Sequence, residues 1–226
     1  MKQLLTRNLD QRSVPPLRSG DRLNRVEFTK RYQLHPNIKA ELVEGVVYVA
    51  SPVFLPHARL HAYVMGLISQ YVMQTQGLDL ADNLSVRLDN ENEVQPDVCV
   101  WFSANESVRN LEQQYFEGAP EFAFEIAASS AAYDLHDKLD VYQRNAVQEY
   151  VVLSVYDQGV HWFVRHDGAF RRIAANEEGV FKSELLSGFW FDAEAFWRED
   201  WAQVLGTLQA GMNSAEYATF KQSLSD

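Results

Sequence analysis

The sequence predicts an α/β or α+β domain in which a sheet is backed by helices. Three observations lead there. Residues 56–77, "PHARLHAYVMGLISQYVMQTQG", place Leu60, Val64, Leu67, Ile68 and Tyr71 on one stripe, the spacing of an amphipathic helix. Residues 120–130, "PEFAFEIAASS", alternate Phe122, Phe124 and Ile126 onto one face, the period of a strand. Segments of the two kinds intermix along the chain instead of falling into separate halves.

Residues 1–26 carry the breaks "VPP" and "RSGD" and read as a flexible basic arm. "TKRYQLHP" predicts a short helix stopped by Pro36. "KAELVEGVVYVAS" predicts two strands joined at Glu44-Gly45, a hairpin with glycine in its turn. In the long helix Pro56 suits the first turn and Gly77 the position just past the end. "LDLADNLSVRL" and "EVQPDVCVWF" read as strands around the polar turn "DNENE". Residues 103–119 read as irregular, with one helical turn. After the strand at 120–130, "AAYDLHDKLDVYQRNA" predicts a second helix, capped by Ser129 or Ser130. Its inner stripe would be Leu135, Leu139, Tyr142 and Ala146. "VQEYVVLSV", "GVHWFVRHD", "AFRRIAA" and "GVFKS" follow as consecutive strands, with Gly159 and Gly168 in the turns. The tail from Asp192 reads as helical. The main domain is expected over 27–200, with a helical extension over 201–226.

Composition bounds the possibilities. The chain of 226 residues, 46% hydrophobic and 23% charged, is that of an ordinary globular protein. Its net charge of −11 argues against broad, sequence-blind binding to nucleic acid. The charge is uneven. Residues 1–40 hold nine Lys/Arg against three Asp/Glu, and residues 176–226 hold three against nine. The basic arm either solubilises the chain or meets a phosphate backbone. No apolar run approaches the length of a membrane span, and the N-terminus has no apolar secretory core. Cys99 stands alone in "VCVWF" and reads as a core residue. A cytoplasmic location is expected.

The chemistry gathers at acidic residues in oily strands. Glu125 lies on the opposite face from Phe124 and Ile126, between the small residues Ala123 and Ala127. An ionised carboxylate there is costly without compensation. Asp97, which heads "PDVCVW", lies 28 residues earlier on a second apolar strand. Two carboxylates on neighbouring strands repel each other unless a cation sits between them. Hard oxygen ligands suit Mg²⁺, which commonly takes one or two carboxylates and keeps several waters. Lys138 borders the predicted inner stripe of the second helix. From spacing alone it reads as an exposed partner of Asp134 at i, i+4. His57 and His61 share a helix face, but a zinc protease would carry Glu at position 58, where Ala58 stands. No cysteine or histidine cluster completes a tetrahedral site. Glycine-rich phosphate loops and G-x-S-x-G elbows are absent. The aromatic segment "VYDQGVHWFVRHDGAF" reads as sheet core.

From about Glu41 to Phe196 the chain resembles the Uma2 family of restriction endonucleases, a branch of the PD-(D/E)xK nuclease superfamily. The matching pieces are "ELVEG" followed by "VVYVASP", His57 opening a helix, "QPDVCVW", "EFAFEIAASS", "DLHDKLDVYQRNAVQEYVVLS" and "SELLSGFWFD". The resemblance implies a restriction-endonuclease-like core, a mixed central sheet flanked by helices. It implies Asp97 and Glu125 as the metal-binding acids and Lys138 as the catalytic lysine. In the wider superfamily that lysine stands two positions after the Glu, where this chain has Ala127; on this branch it lies on the following helix. Glu41 or Glu44 would add a carboxylate, and His57 would line the pocket. Ala128-Ser129-Ser130 replaces a more usual Ser-Pro-Ser.

The activity implied is a Mg²⁺- or Mn²⁺-dependent endonuclease hydrolysing DNA phosphodiester bonds, with two copies pairing to cut two strands. Two alternatives stand beside it. One is a non-catalytic nucleic-acid-binding or scaffold protein that retains the fold. The other is a structure-specific nuclease acting on RNA or branched DNA.

Overall fold

The computed structural model describes residues 14–35, 37–104, 109–110, 115–128 and 130–224. The elements in order are α1 (Arg25–Leu34), the strands β1 (Ala40–Val43) and β2 (Val46–Val49), and the long helix α2 (Leu55–Met73). The strands β3 (Leu78–Asp82), β4 (Val86–Arg87), β5 (Glu93–Val94), β6 (Val98–Phe102), β7 (Arg109–Asn110), β8 (Tyr115–Glu117) and β9 (Phe122–Ala127) follow. Next come α3 (Ala131–Leu135), α4 (Asp137–Arg144), β10 (Glu149–Ser154), β11 (Gly159–His166), β12 (Ala169–Ile173), β13 (Val180–Lys182) and β14 (Trp190–Asp192). The chain closes with α5 (Ala193–Trp197), α6 (Trp201–Met212) and α7 (Ala215–Ser223).

The predicted class holds: mixed sheets flanked by helices. The strands divide between two six-stranded sheets, ordered β2-β1-β5-β4-β8-β7 and β12-β11-β10-β9-β6-β3, plus the hairpin β13-β14. Each large sheet has one parallel pair, β4 with β8 and β9 with β10. The two sheets share a bent hairpin. β3 pairs with β6 in one sheet, and their continuations β4 and β5 pair in the other. Each of the two predicted strands around "DNENE" therefore splits in two. One break is at Asn83, whose φ is 49°; the other is at Gln95-Pro96, where proline has no N–H to give a ladder.

The β1-β2 turn is the expected one. Val43 faces Val46, and both turn residues, Glu44 and Gly45, have positive φ, as a type I′ turn requires. α2 buries Val64, Leu67, Ile68, Tyr71 and Val72 against one face of the second sheet, which presents Phe122, Phe124 and Ile126. The helix ends at Met73, capped by Gln74, so Gly77 lies in the turn into β3. The other face of that sheet presents Ala123 and Ala127 to Val141 and Tyr142 of α4 and to Val43, Val86 and Val94 of the first sheet. A third cluster joins Leu17, Phe28, Ala40, Leu42 and Val47.

Several expectations change. Val14 and Leu17 are buried, so the chain is packed from Val14 onward; residues 1–13 of the expected arm lie outside the described residues. α1 begins at Arg25, with Asn24 Oδ1 accepting from Glu27 N at 2.9 Å, so the expected boundary at 26 falls inside a helix. Pro36 and Ser129 lie outside the described residues, as do 105–108 and 111–114; elsewhere in the segment 103–119, read as irregular with one helical turn, Arg109–Asn110 and Tyr115–Glu117 are strands. The expected helix over 131–146 is two helices, broken at His136 (φ −124°, ψ −77°). Ser130 holds the first N-cap position, without a side-chain bond to the cap. Val204, Leu208, Met212 and Tyr217 of α6 and α7 belong to the main core, so the C-terminal segment is integral to the domain. Among the described residues no helix is long and apolar enough to cross a membrane.

Candidate active site

The bent hairpin determines where the acids stand. At Gln95-Pro96 the strand leaves the first sheet, and Asp97 is the first residue of the turn into β6. The break exposes the Gln95 N–H, which donates to Glu41 Oε1 at 2.6 Å. Asp97 Oδ2 accepts from the Ile126 N–H at 2.8 Å, and the Asp97 N–H faces Glu125 Oε2 at 3.4 Å. Glu125 thus leans on the backbone of Asp97, and Asp97 on that of Ile126, the residue after Glu125.

Lys138 completes the cluster. Its ammonium lies 2.5 Å from Glu125 Oε1, 3.0 Å from Glu41 Oε1 and 3.8 Å from Asp134 Oδ1. The residue is 2% exposed and, with Val141 and Tyr142, forms the buried face of α4. It stands at the centre of that face, whereas the predicted stripe put it at the margin; Leu135 and Leu139 are only half-buried and Ala146 is exposed. Asp134 is buried too, so the exposed Asp134–Lys138 pair read from spacing does not occur. Tyr142 Oη donates to Glu125 Oε1 at 3.0 Å, and Tyr133 Oη to Glu41 Oε2 at 3.4 Å.

His57, in the first turn of α2, points Nε2 at Asp97 Oδ2 across 3.5 Å; the pair is ionic when the imidazole is protonated. Nδ1 of this ring is buried without a partner. His61 Nε2 lies 3.1 Å from the Asp97 carbonyl oxygen. Glu44 stays outside the cluster: it sits in the β1-β2 turn, exposed, and pairs with Arg144. The fold thus gathers Glu41, His57, Asp97, Glu125 and Lys138. Asp134, Tyr133 and Tyr142 join them, three side chains that sequence reasoning did not assign to the site.

Electrostatics follow from burial. Glu125 is held well above the usual carboxylate range by burial, and the charges of Asp134, Asp97 and Glu41 add to this against Lys138. Asp134 is raised to about 6, chiefly by burial. Burial alone would depress the Lys138 ammonium, but Glu125, Glu41 and Asp134 more than offset it and the net shift is upward. Asp97 goes the other way. Burial opposes its ionisation, yet His57, the Ile126 N–H and Lys138 together hold it below its ordinary value.

Three carboxylates, Glu125, Glu41 and Asp134, thus meet one ammonium, and Asp97 lies next to Glu125. Among the described residues no three His, Cys, Asp or Glu side chains form a metal site as they stand. Mg²⁺ commonly uses only one or two carboxylates, and Asp97 with Glu125 is such a pair. Asp97 Oδ1 has no hydrogen-bond donor among the described residues, and Glu125 Oε2 has only the long 3.4 Å contact. The two carboxylates fit a hard divalent cation. A separate cleft, lined by Thr75, Asp79, Ser103 and Lys221 among others, contains none of these residues.

Comparisons with known proteins bear on the family and the fold. The sequence profile of the Uma2 family, described as "Putative restriction endonuclease", matches residues 25–194. Among solved structures, the chain is similar to the crystal structure of "a putative nuclease belonging to DUF820" from Anabaena variabilis ATCC 29413. The two share 12% identity at a TM-score of 0.55, over 65% of this chain and 82% of the other, a likeness of fold. No curated protein matches significantly.

Proposed function

The chain belongs to the Uma2 family, and on that premise we propose that it is a Mg²⁺- or Mn²⁺-dependent endonuclease that hydrolyses DNA phosphodiester bonds. The observation that carries this reading is the meeting of Asp97, Glu125 and Lys138, from three separate elements, beside Glu41. Asp97 and Glu125 would hold the ion. When bound, the ion supplies Lewis acidity toward the scissile phosphate and lowers the pKa of water.

The remaining work falls to the chain's own residues. Lys138 and Tyr142 grip Glu125 by Oε1, which leaves Oε2 turned toward Asp97. The Lys138 charge offsets charge that develops on phosphate oxygens in the transition state. Glu41 fixes the ammonium from the other side and ties it to the Gln95 backbone. His57 stands against Asp97, with Nε2 3.5 Å from Oδ2, and holds the carboxylate in place. We assign duplex cleavage to two copies of the chain, one for each strand. The cytoplasm suits this activity and the single buried thiol of Cys99.

The test is cleavage of supercoiled, linear and branched DNA, and of RNA, with Mg²⁺ and with Mn²⁺. Wild type is expected to nick or cut DNA with either ion, and Asp97→Ala is expected not to. No cleavage of any substrate by wild type would transfer the assignment to a non-catalytic binding protein.

A further inference from the structure

Beside the acids lies a surface that the hydrolytic chemistry does not use. All six residues from Ser51 to Pro56 are exposed, and five of them are apolar. Val53 is 62% exposed, and Phe54 and Leu55 are each 71% exposed. Pro52 and Pro56 bracket the three and restrict the backbone that presents them. Phe54 occupies the N-cap position of α2 and makes no side-chain cap bond. Ser, Thr, Asp and Asn are preferred there because their oxygens satisfy an orphan N–H. An exposed phenylalanine at that position breaks a local rule with no gain in packing, as functional positions commonly do.

The tip is tied to the candidate site at both ends. Three residues after Phe54 comes His57, whose ring faces Asp97. Before the tip, Tyr48 of β2 packs against Tyr133, ring centroids 4.2 Å apart and planes tilted by 37°, and Tyr133 reaches Glu41. We infer that Val53, Phe54 and Leu55 form a wedge that stacks against the bases of the DNA strand entering the site; this rests on the nuclease reading above. The place of the tip selects this occupant: it opens the helix whose first turn carries His57 against Asp97, so a strand lying in the candidate site passes beside it. Three side chains expose on the order of a few hundred Å², well short of the roughly 800 Å² per partner of a stable protein interface. Apolar side chains of this type unstack base steps when inserted between them.

The experiment first maps the cut made by the full-length wild type with Mn²⁺. Duplexes carrying 2-aminopurine at the flanking nucleotides are then titrated without divalent ion. Wild type is expected to raise the fluorescence as the base unstacks. Phe54→Ala should abolish the rise and bind roughly tenfold more weakly, in line with the worth of one stacked base; Phe54→Trp should restore both. Because Phe54 is mostly exposed, the melting temperature of Phe54→Ala should match wild type. A Phe54→Ala protein that cuts, binds and brightens the duplex like wild type overturns the wedge and leaves the nuclease reading intact. A fall in melting temperature or a change of oligomeric mass in that variant also overturns it, the tip then being a structural or copy-to-copy contact. If wild type cuts nothing, the nuclease reading fails and the wedge fails with it.

Discussion

Lys138 Nζ lies 2.5 Å from Glu125 Oε1, in a place where neither residue is more than 4% exposed. The pair joins α4 to β9. Breaking a buried pair by removing one partner leaves a desolvated charge behind, at about 3–5 kcal/mol. Lys138→Ala should therefore lose most DNA cleavage, on the order of 10²–10³ in rate, and also several degrees in melting temperature. Lys138→Arg should recover little, because a planar fork does not replace a point charge held between Glu41 and Glu125. Cleavage by Lys138→Ala at the wild-type rate would remove the lysine from the mechanism.

Glu41 and Glu44 separate sharply. Glu41→Gln should cut cleavage strongly, since its carboxylate meets both Lys138 and the Gln95 N–H. Glu44→Gln removes only an exposed partner of Arg144 and should change rate and stability little. Equal rates for the two variants would show that the first-sheet carboxylate plays no part.

Metal affinity should rise with pH. Asp134 titrates near pH 6 and Glu125 is held high, so the metal-free cluster carries protons that an incoming cation must displace. Calorimetry with Mn²⁺ at pH 6, in two buffers of different ionisation enthalpy, should give different heats. Identical heats would contradict proton release. Asp97→Ala should bind the ion much more weakly than wild type.

Glu149 supplies a pH dependence separate from the site. It is fully buried, and accepts from Ser183 Oγ at 2.5 Å and from the Glu184 and Leu185 N–H groups at 2.6 and 3.0 Å. Burial nonetheless raises it from 4.5 to about 7. A carboxyl raised on folding holds more protons in the native state than in the unfolded one. Its contribution is complete below pH 4.5 and fades as pH climbs through about 7. In Glu149→Gln the fall in melting temperature between pH 4.5 and 8 should be smaller than in wild type. Parallel melting curves across that range would rule out Glu149 as the source.

Much of this was legible in the residues themselves. The alternation of Phe122, Phe124 and Ile126 placed Glu125 on the opposite face, and the small residues Ala123 and Ala127 leave space there for α4. Lys138 was harder. Its position on the helix was projected from Leu135 at a constant 100° per residue, and the break at His136 resets that phase. Tyr142 was read as a plain core aromatic because a hydroxyl leaves no trace in hydrophobic periodicity. The division into two sheets escaped for a similar reason: apolar alternation runs on through a bend, and only Asn83 and Pro96 mark it. The resemblance leaves Glu41 and Glu44 as alternatives, although the hairpin expected at Glu44-Gly45 already sets Glu44 in a turn. The type I′ turn decides between them, because it turns Glu44 out to solvent.

Glu41 and Glu125 stand on different sheets, and Lys138 bridges them only after the β9–α4–β10 crossover has closed. During synthesis the chain emerges from its N-terminus, so Glu41 and Asp97 leave the ribosome well before Lys138. On the proposed nuclease reading, a nascent or half-folded copy therefore has no assembled centre and should not cut DNA. Tertiary docking acts as the safety catch, and a fragment ending before Asp137 should be inert toward DNA at any Mn²⁺ concentration.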